Sequence, residues 1–205
     1  MRRRRSCAGV WVSDDASALR ADLDRVIAGR PISLVGNARS LLDTGHGAAI
    51  DRGCVVRLNS GIPVRRSAQG RRIDIHCFST RPSLEYNLRR GGWRTWLRRG
   101  YFRNAFPIWM SGLDRETCQD PAQAFYPTEL LDALTERLGA RPSVGAMALD
   151  MLVRLTDAPI TLYGFDFKTS TTFYRKRENR GPHDWEAERR IAMALAEEGR
   201  IAVKR

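Results

Sequence analysis

The stretch from Pro31 to Pro63 limits what this chain can fold into more than any other. An apolar run, Ile32 to Val35, stops at Gly36-Asn37; a glycine-punctuated segment follows, and a second strand-like run, Cys54 to Leu58, stops at Asn59. Short apolar runs bounded by turn residues predict buried strands. Strands that end on Asn have a chemical use, because the carboxyl ends of parallel strands line the crevice where open α/β sheets hold ligands. Glycine there admits a ligand to the backbone, and Asn offers both a donor and an acceptor. A Gly-Asn pair equally suits an ordinary turn, since both residues accept positive φ.

The remainder alternates helices with strands, which predicts an α/β fold with a mostly parallel central sheet flanked by helices. Residues 1–12 read as a flexible basic arm. Asp14 and Asp15 can cap a helix from Ala16 to Ala28, where Leu19, Leu23, Val26 and Ile27 recur at helical spacing. Pro63 to Arg72 reads as a basic loop, and Ile73 to Phe78 as a strand alternating Ile73, Ile75 and Cys77 with Asp74 and His76. Ser79, Thr80 and Pro82 close that strand, and Ala105 to Met110 forms another. A helix from Thr128, a plausible cap, runs to about Leu138. A second runs from Pro142-Ser143 to Leu155, and a strand from Ile160 to Tyr163 ends at Gly164-Phe165-Asp166. Lys168 to Pro182 reads as a mobile loop or lid, basic at Arg175, Lys176, Arg177 and Arg180. A last helix begins near His183 and a short strand, Ile201 to Val203, follows it.

At 205 residues the chain has the size of one domain with one substantial core. Its 35 Lys and Arg against 23 Asp and Glu give a net charge of +12, which favours anionic partners: nucleic acid, phospholipid or phosphorylated substrates. Cys7, Cys54, Cys77 and Cys118 form no C-x-x-C pair and no metal-ligand spacing with the histidines, which fits a reducing, cytoplasmic compartment. Arg2 to Arg5 leads into no apolar segment of the kind a secretory signal requires, and no window is long and apolar enough to span a bilayer.

Three segments carry candidate chemistry. Arg89 to Arg103 holds six Arg, no acid and four aromatics. As a helix from Trp93 it would set Trp93, Trp96, Leu97 and Tyr101 on one face, which suits an interfacial membrane helix, a core-facing stripe with solvated Arg, or a base-stacking surface. Arg141-Pro142-Ser143-Val144-Gly145 opens a helix whose first amides lack partners and favour an anion, although Ser143 could simply cap it. His183 stands near a helix start, where a lone His is ordinarily a cap or surface residue. Glu188 lies five positions on, rotated by about 500°, and so off the face of His183; its expected role is structural, holding a helix start.

Together these strings resemble the motifs of sialyltransferases. Val35-Gly36-Asn37, Gly47 to Asp51 and Val55 to Asn59 match the V-G-N, G-x-x-I-D and V-x-R-x-N of the L motif. Pro142 to Gly145, with Tyr163-Gly164-Phe165, is similar to the S motif, and His183 with Glu188 to the very short motif. Val144 stands where the family has threonine. Thr172 stands where the His of a further H-Y-Y motif would fall, and the cysteines that join the L and S motifs in animal members are missing, with Ser33 and Thr156 near their places.

The resemblance covers Ile32 to about Ile191 and implies a single Rossmann-like domain, a GT-A-like variant. It also implies an inverting transferase that takes a CMP-activated acid sugar, sialic acid or Kdo-like, and needs no metal. Asn37 and Asn59 would face the donor's phosphate and sugar, with Gly36 beside them. Ser143, Val144 and Gly145 would face cytidine and ribose, and Gly164 and Phe165 would wall the nucleotide. His183 would take the acceptor's proton, and Arg141 is placed by inference near the phosphate. The implied partners are the CMP-sugar donor and a glycan or glycolipid acceptor such as lipopolysaccharide core, with peripheral contact between Arg89 to Arg103 and the inner face of the cytoplasmic membrane. Two other readings stay open: a basic nucleic-acid-binding module, and a relative that binds CMP without transferring sugar.

Overall fold

The computed structural model describes residues 4–5, 11–12, 16–111, 123–167, 169–174 and 182–204. The expected cap at Asp14 and Asp15, the cysteines Cys7 and Cys118, and the basic part of the expected lid, 175–180, lie outside the described residues.

Seven parallel strands form one sheet. In chain order they are β3 (Ile32–Val35), β4 (Cys54–Leu58), β5 (Ile75–Phe78), β6 (Phe106–Trp109), β7 (Ala124–Phe125), β8 (Ile160–Tyr163) and β9 (Ile201–Lys204). Their order across the sheet is β7-β6-β5-β4-β3-β8-β9. The chain builds outward from β3 through β7, then returns to β3 and adds β8 and β9 on its other side. The direction of winding therefore reverses between β3 and β8. In an open α/β sheet that reversal opens a crevice at the carboxyl ends of the strands.

Side chains alternate across the pleat. Leu34, Val56, Cys77 and Leu162 enter a core shared with helices α1 (Ala16–Ile27), α6 (Thr128–Leu138), α7 (Val144–Leu155) and α8 (Trp185–Glu197). Val35, Val55 and Tyr163 point the opposite way and pack on Leu41 and Ile50, the latter in the one-turn helix α2 (Gly47–Ile50). Farther along that second face, Phe78, Trp109 and Phe125 receive Leu84 from α4 (Arg81–Arg90). Burial on both faces explains why the central strands are mostly apolar, their polar members Ser33, Arg57 and His76 being buried as well.

Several expectations are corrected. The strand expected from Ile73 starts at Ile75 and is buried on both faces, so its polar alternation does not mark a solvent side. Asp74 precedes the strand and accepts from Val55 N at 2.8 Å. His76 is buried because Phe102 stacks on it at 3.9 Å. Thr80 does not merely close the strand: its Oγ1 caps α4 by accepting from Ser83 N at 3.2 Å, with Pro82 in the first turn. The helix from Trp93 is only α5 (Trp93–Leu97), followed by a 3-10 segment, Arg98–Phe102, so the four expected residues share no continuous helical face. Within the basic loop, Arg66–Gln69 forms a one-turn helix, α3. Thr128 is the first residue of α6 and Pro127 holds the cap position. Arg4–Arg5 (β1) and Trp11–Val12 (β2), expected in a flexible arm, pair as an antiparallel ribbon.

The polar residues of the first motif-like segment hold this architecture together. Asp51 accepts from the amides of Arg71 and Arg72 at 2.9–3.0 Å. Arg57, 2 % exposed, donates to Gln69 O at 2.7 Å and Arg72 O at 2.8 Å. Burial lowers the pKa of its guanidinium. These bonds bind the 63–72 loop to the sheet. Cys54 and Cys77 are free thiols inside strands, and burial pushes the Cys54 thiol up to about 12.

Candidate functional site

A cavity of about 320 Å³ opens at the carboxyl ends of β3, β4 and β8, where the winding reverses. All nine residues singled out by motif line it: Gly36, Asn37, Asn59, Ser143, Val144, Gly145, Gly164, Phe165 and His183. They are drawn from positions 36 to 183 in the chain, so only the sheet order unites them.

Bonds or close packing hold most of them. Asn37 Nδ2 donates to Leu58 O at 3.0 Å and to the Tyr174 hydroxyl at 3.4 Å, which ties the end of β3 to the end of β4. Asn59 adopts φ +49°, a left-handed conformation that Asn tolerates better than most residues. Its Oδ1 accepts from Ser79 N at 3.2 Å and its carbonyl from His76 Nε2 at 2.7 Å. Gly36 serves close packing more than ligand approach, because a Cβ there would lie 2.3 Å from Gly164 O. Phe165 leans over the start of α7, where a Cβ on Gly145 would stand 3.1 Å from its ring.

Ser143 is the cap of α7, accepting from Ala146 N at 3.1 Å. Its own N and Oγ donate to the two carboxylate oxygens of Glu188 at 2.8 and 2.7 Å. The structural role expected for Glu188 is visible here, but the helix start it holds is that of α7 and not of its own helix. α8 is capped by Asp184, whose Oδ1 accepts from Ala187 N at 2.9 Å. With Ser143 N committed, the amides of Val144 and Gly145 stand in the first turn, where no intrahelical acceptor exists and the dipole is positive. That arrangement can hold an anion or a polar ring edge through backbone alone, so the hydroxyl missing at Val144 does not remove it.

His183 Nδ1 donates to Arg141 O at 2.7 Å. A carbonyl can only accept, so the neutral ring carries its hydrogen on Nδ1 and its lone pair on Nε2. Trp185 packs on the ring edge-on at 5.0 Å. Arg141 lines the cavity too.

Further residues line the cavity: Ser83, Asn87 and Asp166 escaped the motif reading, whereas Thr172 and Tyr174 belong to the H-Y-Y-like string. Ser83 and Asn87 come from α4, whose start was signalled by Thr80 and Pro82. Asp166 directly follows the Tyr-Gly-Phe string; its carboxylate accepts from Ser170 N at 2.9 Å and from the Ser170 hydroxyl. Thr172 and Tyr174 arrive because Phe173 N donates to Asn37 O at 3.1 Å and Arg39 N to Thr171 O at 2.9 Å. The described part of the expected lid, 169–174, is thus bonded to the end of β3.

No protein-family model matches the chain, and no curated protein matches it. Solved structures do. A mammalian sialyltransferase aligns with 100 % of this chain and 90 % of its own at 15 % identity, with a TM-score of 0.58. The chain folds as a sialyltransferase does. A variant of the sialyltransferase CST-II, solved in complex with CMP, gives a TM-score of 0.55 at 13 % identity over 85 % of this chain and 80 % of that one. The monofunctional alpha-2,3-sialyltransferase Cst-I from Campylobacter jejuni gives 0.54 at 14 % identity, over 84 % and 74 %. At these identities the likeness is one of fold.

Proposed function

We propose that the protein is an inverting, metal-independent glycosyltransferase. It moves an acid sugar, sialic acid or a Kdo-like acid, from a CMP-sugar to a hydroxyl of a bacterial surface glycan or lipopolysaccharide acceptor. One observation carries this reading: nine residues chosen from motifs in the sequence line one cavity at the switch point of a fold shared with a sialyltransferase solved with CMP.

In the reaction the acceptor oxygen bonds to the anomeric carbon as the bond from that carbon to the CMP phosphate oxygen breaks, and the electron pair leaves with CMP. The acceptor's proton passes to His183 Nε2, the nitrogen left unprotonated by the bond to Arg141 O. Negative charge on the departing phosphate is met by the α7 amides, by Arg141 and by the Tyr174 hydroxyl at the rim. Asn37 and Asn59 are assigned to the phosphate and sugar side, Ser143, Val144 and Gly145 to the nucleoside, and Phe165 to a wall that excludes water from a hydrolysable donor.

The test is a thermal-shift series with CMP, CMP-sialic acid, CMP-Kdo and other nucleotides, because a ligand that binds only the folded state stabilises it. Selective stabilisation by CMP and one CMP-sugar is expected. No response to any cytidine nucleotide would overturn the reading. Thr172, a cavity residue where the family motif has His, favours a second reading, a protein that binds CMP without transfer. CMP stabilisation with neither hydrolysis nor transfer of any CMP-sugar would select it.

A further inference from the structure

Four large hydrophobic side chains are exposed among the described residues: Val64 at 59 %, Tyr86 at 58 %, Trp93 at 67 % and Leu97 at 65 %. They belong to one region. Tyr86 lies on α4, Trp93 and Leu97 on α5, which packs against α4, and Val64 is drawn in because Arg98 Nη2 donates to Pro63 O at 2.6 Å. Around them stand exposed Arg89, Arg90, Arg98, Arg99 and Arg103, while Ser79 to Ser111 contains a single acid, Glu85.

We infer that this patch, α4–α5 with the Val64 loop, seats the protein on an anionic lipid bilayer. Apolar tips ringed by arginine suit the boundary between headgroups and acyl chains: the apolar groups enter it while guanidinium groups meet lipid phosphates. Each arginine near such a surface strengthens binding roughly five-fold, so several together outweigh the weak partition of three or four side chains. Base stacking is the poorer fit. Trp96 is already covered by Arg89 and Arg99, whose guanidinium carbons lie 4.5 and 4.4 Å from its ring centroid, and Val64 and Leu97 are aliphatic.

The geometry also relates the bilayer to the cavity. α4 turns Ser83 and Asn87 into the cavity lining and carries Tyr86 and Arg90 on the adjoining face. One helix is therefore both cavity rim and membrane contact, and an acceptor anchored in the bilayer enters beside it. This last step rests on the transferase reading; the docking itself does not.

The experiment is sedimentation of the full chain with vesicles of phosphatidylcholine, with and without phosphatidylglycerol. Trp93→Ser/Leu97→Ser is run alongside, and the CMP thermal shift is measured on the same preparations. Wild type is expected to bind the anionic vesicles far better than the neutral ones and to be released by salt. The double variant should bind at least about ten-fold more weakly while keeping the CMP shift. Equal binding to both lipids, wild-type binding by the double variant, or a single-stranded oligonucleotide that strips the protein from vesicles in both forms alike would overturn the inference. Vesicle binding without a CMP shift would undo only the transferase reading, and a CMP shift without vesicle binding only the docking.

Discussion

Ser143 and Glu188, 45 positions apart, are joined twice, backbone N to Oε1 and Oγ to Oε2, at 2.8 and 2.7 Å. The pair locks the start of α7 to α8 beneath the cavity, and it joins the second motif-like segment to the third. Glu188→Ala leaves a buried serine without its acceptors. It should cost about 3 kcal/mol and lower the melting temperature by several degrees, with weaker CMP binding as the α7 amides shift. Calorimetry with and without CMP checks this. A variant of undiminished stability that has lost only turnover would make Glu188 catalytic.

His183 is the group proposed to take the proton, and its geometry separates that task from binding. His183→Ala should lower transfer by roughly 10²–10⁴-fold and leave stabilisation by CMP nearly unchanged. Transfer measured beside thermal shift decides, and retained transfer removes His183 as the base.

His76 predicts an acid limb in stability. Burial, more than the nearby charge of Arg81, pushes the imidazole down to about 4, against the upward influence of its bond to Asn59 O. Between the ordinary value near 6.5 and about 4 the unfolded chain binds a proton that the folded chain refuses. Stability is therefore complete above about pH 6.5 and falls as pH drops, by about 3 kcal/mol near pH 4. His76→Gln, which can still donate to Asn59 O, should flatten that limb in urea titrations repeated across pH. An unchanged limb would place the proton elsewhere.

Gly61 offers a way to displace Asn37 without replacing it. A Cβ at position 61 would lie 2.1 Å from Asn37 Oδ1, the end of a side chain that can rotate away. Gly61→Ala should cost about 1 kcal/mol through the lost bond to Leu58 O, and weaken CMP binding about ten-fold if Asn37 faces the nucleotide. Calorimetric titration with CMP reads both. Wild-type affinity would remove Asn37 from the donor side. Gly36→Ala is harsher, because its Cβ would lie 2.3 Å from a backbone carbonyl, Gly164 O, which no rotamer relieves, whereas the nearest backbone atom to a Cβ at 61 is Leu58 O at 3.0 Å. Its effect should appear as lost stability of about 2 kcal/mol or more.

The elements written locally were legible in the chain. Apolar runs ending at Val35, Leu58 and Tyr163, the cap at Ser143 and the helical spacing of Leu19, Leu23 and Ile27 all reflect interactions within a few residues, and the structure has each of them. The nine motif residues fall at strand ends and near helix starts, and they line one cavity.

What the chain could not display were relations between distant segments. Adjacency of β8 to β3, which creates the crevice, follows from packing two halves of a sheet, and no residue in β3 announces it. Asp74 and His76 looked like the wet side of a strand until Phe102, 26 positions beyond His76, covered it. Thr80 and Pro82 end a strand or begin a helix equally well in isolation, and only the burial of Leu84 and Leu88 decided for the helix that rims the cavity. Periodicity and capping are short-range and stay written in sequence, whereas burial, charge pairing and cavity walls are set by which surfaces meet. The sequence alone determined most of the strands, several helix starts and the candidate residues; the tertiary structure decided that they face one another.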